Sequence, residues 1–511
     1  MVAYSLKKRY VAKLSTNLVG LAIGMVTQAI IPRGLGPAAY GDFNFLTSFF
    51  NELMPFFSLS TSTAFYTKLS QRQNEFGLVS FYFQFTCLVF AGLFLFVGLS
   101  HALGLSSAFW VDQNLRYVYM AAFWVALTWV VQLMTNVADA YGLTVSTEIA
   151  RIAQKVIGFV LILFLFLTNA LDLTNFFLYH YIICSLLIVL FVWIIQRDRG
   201  FLSQSWRVKK EQVRAYMKEF YEYSHPLFVY ALIGMVVGIL DRWMLQKFAG
   251  SVQQGFFGLS YQIGAICFLF TSAMTALITR EFSIAYANND LKEMAGLFRR
   301  YIPLLYSIAA FVGCFACAQA DRITYILGGS KFAGAALPVS IMALYPIHQT
   351  YGQLSGSVFY ATGQTGLYRN IGIVFMVIGL PVTYLMIAPS NHMGLDAGAT
   401  GLAIKYLVFQ FIGVNAQLWF NARFLQLRFW KYVGHQVFCI ACLLSAAMIV
   451  RLIIEGIPAF QDEVIVSFLI SGIFYSLVVV ALGYCFPMIF GLRREDAKAI
   501  VGSVWARIKK N

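Results

Sequence analysis

Long apolar stretches separated by short polar gaps run along nearly the whole chain and constrain its fold more than any other feature. A bilayer core about 30 Å thick requires roughly 20 consecutive apolar residues per helix. Hydrophobic residues make up 60% of the chain and charged residues 12%, which leaves almost no material for a soluble domain. The sequence therefore predicts an all-α polytopic membrane protein. Its fourteen predicted spans cover residues 14–32, 43–65, 77–100, 117–137, 152–170, 176–196, 225–246, 256–279, 301–318, 335–360, 370–388, 399–421, 435–454 and 464–487.

The placement of the basic residues predicts how the chain is oriented. Most of the 37 Lys and Arg residues lie in the N-terminal tail, the even-numbered connections and the C-terminal tail, whereas Arg242 and Lys405 fall within predicted spans and Lys13 opens the first span. Cytoplasmic loops carry the excess of Lys and Arg, so both termini are predicted to be cytoplasmic, as an even number of spans requires. The net charge of +15 is thus explained by topology and by contact with anionic membrane lipids, without nucleic acid.

The sequence offers little support for an enzyme. It contains neither a nucleotide-binding G-x-x-x-x-G-K-[ST] motif nor a D-x-D pair, and no predicted outward loop is long enough for a catalytic domain. Two C-x-x-C pairs, Cys314/Cys317 and Cys439/Cys442, lie inside apolar spans without a neighbouring His or carboxylate. Zinc sites need a polar second shell, so these cysteines are interpreted as small packing residues. We therefore expect no metal, no cofactor and no enzymatic activity.

The two halves of the chain are related by an internal repeat. At an offset of 214 residues, four glycines of the first span and its turn match four glycines of the seventh, and Gly142-Leu143-Thr144 resembles Gly363-Gln364-Thr365 at an offset of 221. The interval holds six spans, so both copies enter the membrane in the same direction, and substrate sites form between such parallel repeats. The matched pairs are Gly20/Gly234, Gly24/Gly238, Gly36/Gly250 and Gly41/Gly255.

The repeat predicts the domain organisation and a packing mode. We expect two six-helix bundles joined by a cytoplasmic linker helix, then two extra spans and a basic cytoplasmic tail. The G-x-x-x-G spacing in spans one and seven puts small residues on one helix face, where helices can approach closely, either for motion or as ordinary packing. The predicted boundaries are 1–198 for the first bundle, 199–223 for the linker, 224–425 for the second bundle, 426–490 for the extra spans and 491–511 for the tail.

Three short motifs resemble a known family. The segment Pro32–Phe43, PRGLGPAAYGDF, is similar to the turn after the first helix of polysaccharide and oligosaccharide flippases. Asp241–Tyr261 is similar to the matching pattern in their second half, and Glu281–Ala287 to the cytoplasmic end of their eighth helix, although Arg280 stands where proline is expected. These O-antigen-repeat-type flippases belong to the multidrug/oligosaccharidyl-lipid/polysaccharide (MOP) exporter superfamily. The spacing agrees over most of residues 10–425.

The resemblance implies a flippase of the bacterial cytoplasmic (inner) membrane that takes part in cell-surface polysaccharide biosynthesis. Its substrate would be a polyprenyl-diphosphate-linked oligosaccharide, moved by alternating access, with a glycan polymerase and export machinery as further partners. Four alternatives remain open at this stage: a multidrug or metabolite antiporter of the same superfamily, a peptidoglycan-precursor flippase, an integral-membrane glycan polymerase or ligase, and a non-transporting scaffold.

Ionisable residues inside spans are the candidate site residues, because each costs about 2.5–3.5 kcal/mol on insertion scales. Arg242, Lys405 and Lys13 are predicted to contact the diphosphate, and Glu52 and Asp241 to act in coupling or gating. The structural alternative is that the Asp241–Arg242 pair only packs, Lys13 reaches the headgroups and Lys405 lies at the outer interface. Neutral polar residues that could line an oligosaccharide cavity, or simply pack between helices, are Thr27, Gln28, Asn51, Gln262 and Gln353.

Overall fold

The structure is a computed structural model, and it describes residues 6–203, 205–460, 463–492 and 495. Within these ranges, the side chains of residues 6–19, 21–22, 199, 202, 226–227, 229, 266–273, 276 and 459 lie outside the description. The described part is built almost wholly of α-helices and contains no β-strand, which confirms the predicted all-α fold. The helices are α1 (Leu6–Phe57), α2 (Ser62–Gln71), α3 (Phe76–Ala102), α4 (Ser106–Phe109), α5 (Leu115–Ala140), α6 (Thr144–Leu167), α7 (Leu173–Arg199), α8 (Lys210–Ala287), α9 (Leu291–Ala318), α10 (Ala320–Gly328), α11 (Ala336–Ala361), α12 (Thr365–Ile387), α13 (Gly398–Phe424), α14 (Phe429–Glu455) and α15 (Val464–Cys485).

Ten helices in the described part are long and apolar enough to cross a membrane: α3, α5, α6, α7, α9 and α11 to α15. The chain is therefore a multi-pass membrane protein. The four other predicted spans begin in the long helical tracts α1 and α8, of 52 and 78 residues, and one of them, 43–65, continues into α2. The total of fourteen stays a prediction.

Both long tracts are broken at a glycine. Gly36 in α1 has φ 76° and ψ 169°, and Gly250 in α8 has φ 77° and ψ 179°. This backbone region is open essentially only to glycine, because a Cβ would be strained there. The two glycines are partners in the 214-residue repeat, so equivalent positions in the two halves make the same turn.

The second predicted span is also interrupted. α1 ends at Phe57, two residues after Pro55, and α2 begins only at Ser62. In the intervening turn, Leu59 and Ser60 both have left-handed backbone angles, with φ of 51° and 54°. Left-handed angles cannot continue a right-handed helix, so the helical tract ends in this turn.

The helices form two compact units, Met1–Gly255 and Phe256–Asn511. The first has cores rich in aromatic side chains, among them the fully buried Phe50, Trp110 and Phe177. The second has one large core to which α14 and α15 contribute, and there Tyr475 stacks on Phe311 with ring centroids 5.1 Å apart. The predicted limits of the bundles, the linker, the extra spans and the tail stay predictions.

Candidate functional site

The two glycine turns of the first unit pack directly against each other. A Cβ added to Gly41 would lie 1.8 Å from the carbonyl oxygen of Ser251, and a Cβ added to Gly255 would lie 2.1 Å from that of Pro37. Pro37 and Ser251 are partners in the repeat, as are Gly41 and Gly255, so the two contacts are equivalent. We call the segments 36–42 and 250–255 the paired turns. Only glycine permits backbones to approach so closely.

Polar side chains hold the paired turns together. The hydroxyl of Ser251 donates a hydrogen bond to the Asp42 carboxylate, which also accepts one from the Gln113 amide at 2.7 Å. The Gln246 amide donates to the Ser251 hydroxyl at 3.0 Å. Hydrogen bonds to a charged acceptor are stronger than neutral ones. Asp42 lies inside the sequence motif, but sequence reasoning assigned it no role.

Arg242 lies on α8, eight residues before the turn at Gly250. Its Nη1 donates to Oε1 of the buried Gln254 at 3.3 Å, and the Gln254 amide donates to the Arg242 carbonyl. The preceding residue, Asp241, is only 1% exposed. Both predicted ionisable residues on α8 therefore have protein surroundings, and the half-buried guanidinium is turned toward Gln254.

Glu52 lies against a glycine of α8. Its carboxyl carbon would be 2.8 Å from a Cβ placed on Gly238, so the missing side chain leaves room for the carboxylate. Arg242 and Asp241 are near enough to act on Glu52 electrostatically, with opposite signs. The structure thus brings three of the predicted residues, Glu52, Asp241 and Arg242, into one charged group.

A cation that sequence reasoning missed points at the first helix. The Lys155 Nζ on α6 would be 1.9 Å from a Cβ on Gly20, and no hydrogen bond or ion pair involves this ammonium among the described side chains. One turn earlier on α6, Arg151 donates a hydrogen bond to the Thr135 hydroxyl at 2.8 Å and lies over the ring of Phe191. Glu148, on the same helix, is buried.

Sequence reasoning missed Lys155 because it lies only three residues inside the predicted span 152–170 and was counted with the polar connection before it. The helix begins at Thr144, which places Lys155 three turns inside it. The signal available in the sequence was the short apolar run after Lys155, too short to cross a bilayer unless the helix begins earlier.

The predicted close helix packing at the G-x-x-x-G positions is not what the structure shows. Among the described residues, no atom lies within 4 Å of a Cβ added to Gly24 or Gly234. Gly20 and Gly238 instead accommodate the charged ends of Lys155 and Glu52. Gly20 and Gly238 therefore make room for ionisable side chains rather than for a neighbouring helix backbone.

In the second unit, Lys405 is also buried against a glycine. It is 7% exposed, its Cε would be 3.1 Å from a Cβ on Gly379, and its Nζ lies 4.8 Å from the centre of the Tyr406 ring. A cation over an aromatic face is attracted by the ring electrons. This position is buried in protein, not at an exposed interface.

The neutral candidates lie in different surroundings. Gln353 accepts a hydrogen bond from the Thr275 hydroxyl at 3.4 Å, and beside it the Thr279 hydroxyl donates to that of Ser357 at 2.7 Å, so α8 and α11 share a polar strip inside the second unit. The Thr27 hydroxyl bonds to its own helix, at the Ile23 carbonyl, 2.8 Å away. Gln28 and Gln262 are half-buried, Asn51 is exposed, and the side chain of Lys13 lies outside the described residues.

Among the described residues, no group of three or more His, Cys, Asp or Glu side chains is placed to hold a metal ion. The described cysteines of the two C-x-x-C pairs are all free. The Cys439 thiol contacts the Ser307 hydroxyl at 3.3 Å within the core.

Comparison of the sequence with family models and with curated proteins gives no match. Solved structures do match. The lipid II flippase MurJ, in an inward closed conformation, aligns with a TM-score of 0.68 at 10% identity, over 93% of this chain and 98% of that one. An inward-facing multidrug resistance MATE family transporter of the MOP superfamily gives 0.61 at 13% identity, over 80% and 94%. A MOP superfamily transporter from Pyrococcus furiosus gives 0.53 at 13% identity, over 82% and 96%.

The chain therefore has the same fold as these solved structures. Among them are a lipid flippase and a multidrug transporter. At these identities the likeness concerns the fold.

Proposed function

We propose that this protein is a flippase that moves a polyprenyl-diphosphate-linked oligosaccharide from the cytoplasmic to the outer leaflet of a bacterial inner membrane, for cell-surface polysaccharide biosynthesis. The observation that carries the proposal is the presence of unusual intramembrane cations, Arg242, Lys155 and Lys405, on a fold shared with a lipid flippase. A diphosphate in a low-dielectric interior requires cationic partners, because an unpaired buried charge is very costly. The motif Pro32–Phe43 supports the oligosaccharide-linked substrate.

The cations would contact the diphosphate in different ways. Arg242 is suited to hold the diphosphate because a guanidinium matches phosphate oxygens with two parallel hydrogen bonds. Lys155, Lys405 and Lys13 would add point charges for the same group. Thr27, Gln28, Asn51, Gln262 and Gln353 would offer hydroxyls and amides to the sugar hydroxyls.

Glu52 and Asp241 would couple or gate the transport. Arg242 and Asp241 both act electrostatically on Glu52. A diphosphate arriving at Arg242 would therefore compete with these carboxylates for the same positive charge. This competition links substrate occupancy to the charge balance around α8.

The paired turns would form the closure at the outer end in alternating access. Both termini are proposed to be cytoplasmic, which places the turns at Gly36 and Gly250 on the outer side. Their backbone contact and the Asp42–Ser251 hydrogen bond must break before a head group can leave there. Energy would come from an ion gradient, the membrane potential or consumption of the product.

A specific observation also favours a second candidate, a peptidoglycan-precursor flippase. The structural likeness to MurJ, with a TM-score of 0.68, is stronger than the likeness to the MATE transporter, at 0.61. Both flippase substrates are diphosphate lipids, so the intramembrane cations fit either of them. A multidrug or metabolite antiporter has no comparable need for several intramembrane cations.

Depletion of the protein in its host, followed by lipid analysis of each leaflet, tests the proposal. We expect polyprenyl-diphosphate oligosaccharide to accumulate in the inner leaflet, with loss of surface glycan. Arg242→Gln should fail to restore export, Arg242→Lys should restore part of it, and Arg423→Gln at an exposed position of α13 serves as the matched control. Accumulation of peptidoglycan precursor with lysis would favour the second candidate, and drug sensitivity without either lipid would favour the antiporter. Full export by the correctly inserted Arg242→Gln variant would refute the role given to Arg242.

A further inference from the structure

A cavity of about 620 Å³ lies in the first unit, between α3 and the turn before α2 on one side and the first turns of α8 on the other. Its walls are mainly large apolar side chains, with Phe81 and Phe220 buried at the base. Leu88, Met217 and Tyr221 at its rim remain 71%, 60% and 65% exposed. Exposed apolar side chains are ordinary on a membrane protein, but here they line a concave space with a few polar groups, which is typical of a ligand site.

The α8 segment over the cavity is an amphipathic helix held firmly in place. Its cavity-facing residues recur at helical spacing: Val213, Met217, Phe220, Tyr221 and Ser224. Its other side is anchored, since Glu219 accepts hydrogen bonds from Lys68 at 2.9 Å and Arg72 at 2.6 Å, and Tyr216 donates to Glu75. The cavity is therefore preformed.

One polar group in the cavity has no partner. Ser224 is 2% exposed, lines the cavity, and its hydroxyl makes no hydrogen bond among the described residues. Buried hydroxyls in native proteins are nearly always satisfied. An occupant with a hydrogen-bond acceptor on an otherwise apolar body would satisfy it.

Basic residues flank the mouth of the cavity. Lys210, Arg214 and Lys218 follow one another at four-residue intervals, on the helix face next to Met217 and Tyr221. All three are exposed; Lys218 lies 3.9 Å from a glutamate, and the other two have no ion pair among the described residues. Such a row beside an apolar face is typical of binding to anionic lipid surfaces.

We propose that this cavity binds an anionic phospholipid of the surrounding bilayer as a resident ligand. One acyl chain lies along the apolar walls, the Ser224 hydroxyl donates to an ester carbonyl, and the phosphate lies toward the basic row, closest to Lys218, with Arg214 and Lys210 adding positive charge further along the helix. The site shares no residue with the proposed transport site, and the proposal does not depend on which substrate is moved.

The test uses the full chain in vesicles of phosphatidylethanolamine that contain a small fraction of phosphatidylglycerol with a photoactivatable acyl chain. We expect cross-links in peptides covering residues 81–88 and 213–228. Unlabelled phosphatidylglycerol should compete and phosphatidylcholine should not. Equal competition by both lipids, or cross-links only elsewhere, would overturn the proposal. Displacement from these peptides by polyprenyl diphosphate but not by phosphatidylglycerol would mean that the transported lipid is the occupant, which also overturns it.

Two pairs of variants separate the head-group and acyl-chain contributions. The triple change K210Q/R214Q/K218Q should lower cross-linking at least about tenfold, because each basic residue near a lipid surface contributes roughly a factor of five. K292Q/R299Q/R300Q removes the same charge from exposed positions of α9 and should leave it unchanged. Met217→Trp should block the chain at the cavity rim, whereas Met448→Trp, at a comparably exposed position of α14, should not. An unaffected signal in both test variants would refute the site.

Discussion

The change Gly41→Ala acts directly on the paired turns. The new Cβ would lie 1.8 Å from the Ser251 carbonyl oxygen, whereas ordinary contacts begin at about 3.4 Å, and a backbone carbonyl cannot rotate away. The two segments must therefore separate by more than about 1 Å. Overpacking of this kind costs roughly 1–3 kcal/mol. The Ser251–Asp42 hydrogen bond, with a charged acceptor, contributes about 1.5–3 kcal/mol when intact.

Because the two contributions overlap, we expect Gly41→Ala to disfavour the paired-turn conformation by about 2–4 kcal/mol, since neighbouring effects do not simply add. At 1.4 kcal/mol per factor of ten, this shifts the equilibrium toward separated turns by roughly 30-fold to several hundred-fold. If the turns close the outer end, the outward-open population should rise by this factor.

Spin labels at Ala38 and Val252 report the distance between the paired turns, measured by pulsed electron paramagnetic resonance. Both positions are exposed, and they are equivalent in the repeat. In the parent protein we expect a dominant short distance, and in Gly41→Ala a longer one. Gly24→Ala is the matched control, because its Cβ would meet no atom within 4 Å. A distance distribution in Gly41→Ala identical to the parent would refute the reasoning.

Three further predictions follow from single contacts. Lys155→Gln should slow transport at least tenfold while Lys155→Arg retains part of it, measured as lipid-linked glycan export; equal rates would exclude a charge role for this lysine. Arg451→Gln removes two 2.8 Å hydrogen bonds to Asp321 and should lower the free energy of unfolding by about 1–2 kcal/mol, seen as a lower thermal midpoint in detergent; an unchanged midpoint would contradict it. Burial alone would raise the pKa of Glu219, but hydrogen bonds and positive charge from two basic neighbours, including Arg72, hold it below its usual 4.5. The stabilisation that the Glu219 carboxylate gives to this helix is therefore complete above pH 4.5 and is lost as pH falls through the lowered pKa. Amide hydrogen exchange over residues 210–225 should accelerate in acid. The Glu219→Gln variant should not show this acceleration.

The class of fold was predictable because the thickness of a bilayer sets the length of each apolar run in the sequence. Runs of about 20 apolar residues follow from bilayer thickness alone, and ten of the helices appear where such runs were read. The glycine repeat was also visible, and Gly36 and Gly250 adopt the same turn. Because only glycine readily adopts these backbone angles, both turns contain glycine, and the repeat is therefore visible in the sequence.

Contacts between residues that are distant in the sequence could not be predicted in this way. Nothing in the sequence indicates that Gly20 accommodates Lys155 or that Gly238 accommodates Glu52. The spacing G-x-x-x-G is the same whether a helix backbone or a charged side chain fills the space. The start of α6 at Thr144, inside a polar segment, was not predicted either, and Lys155, near the start of the predicted span 152–170, was counted with that segment.

The sequence by itself determined that this chain is a multi-pass helical membrane protein with two related halves, since local hydropathy and glycine positions are properties of each segment. Only the tertiary structure decided which charges meet, as in Glu52 with Arg242, and which backbones touch, as in Gly41 with Ser251. The physical reason is that electrostatic and contact energies depend on distance in space, and helices far apart in sequence set those distances when they pack.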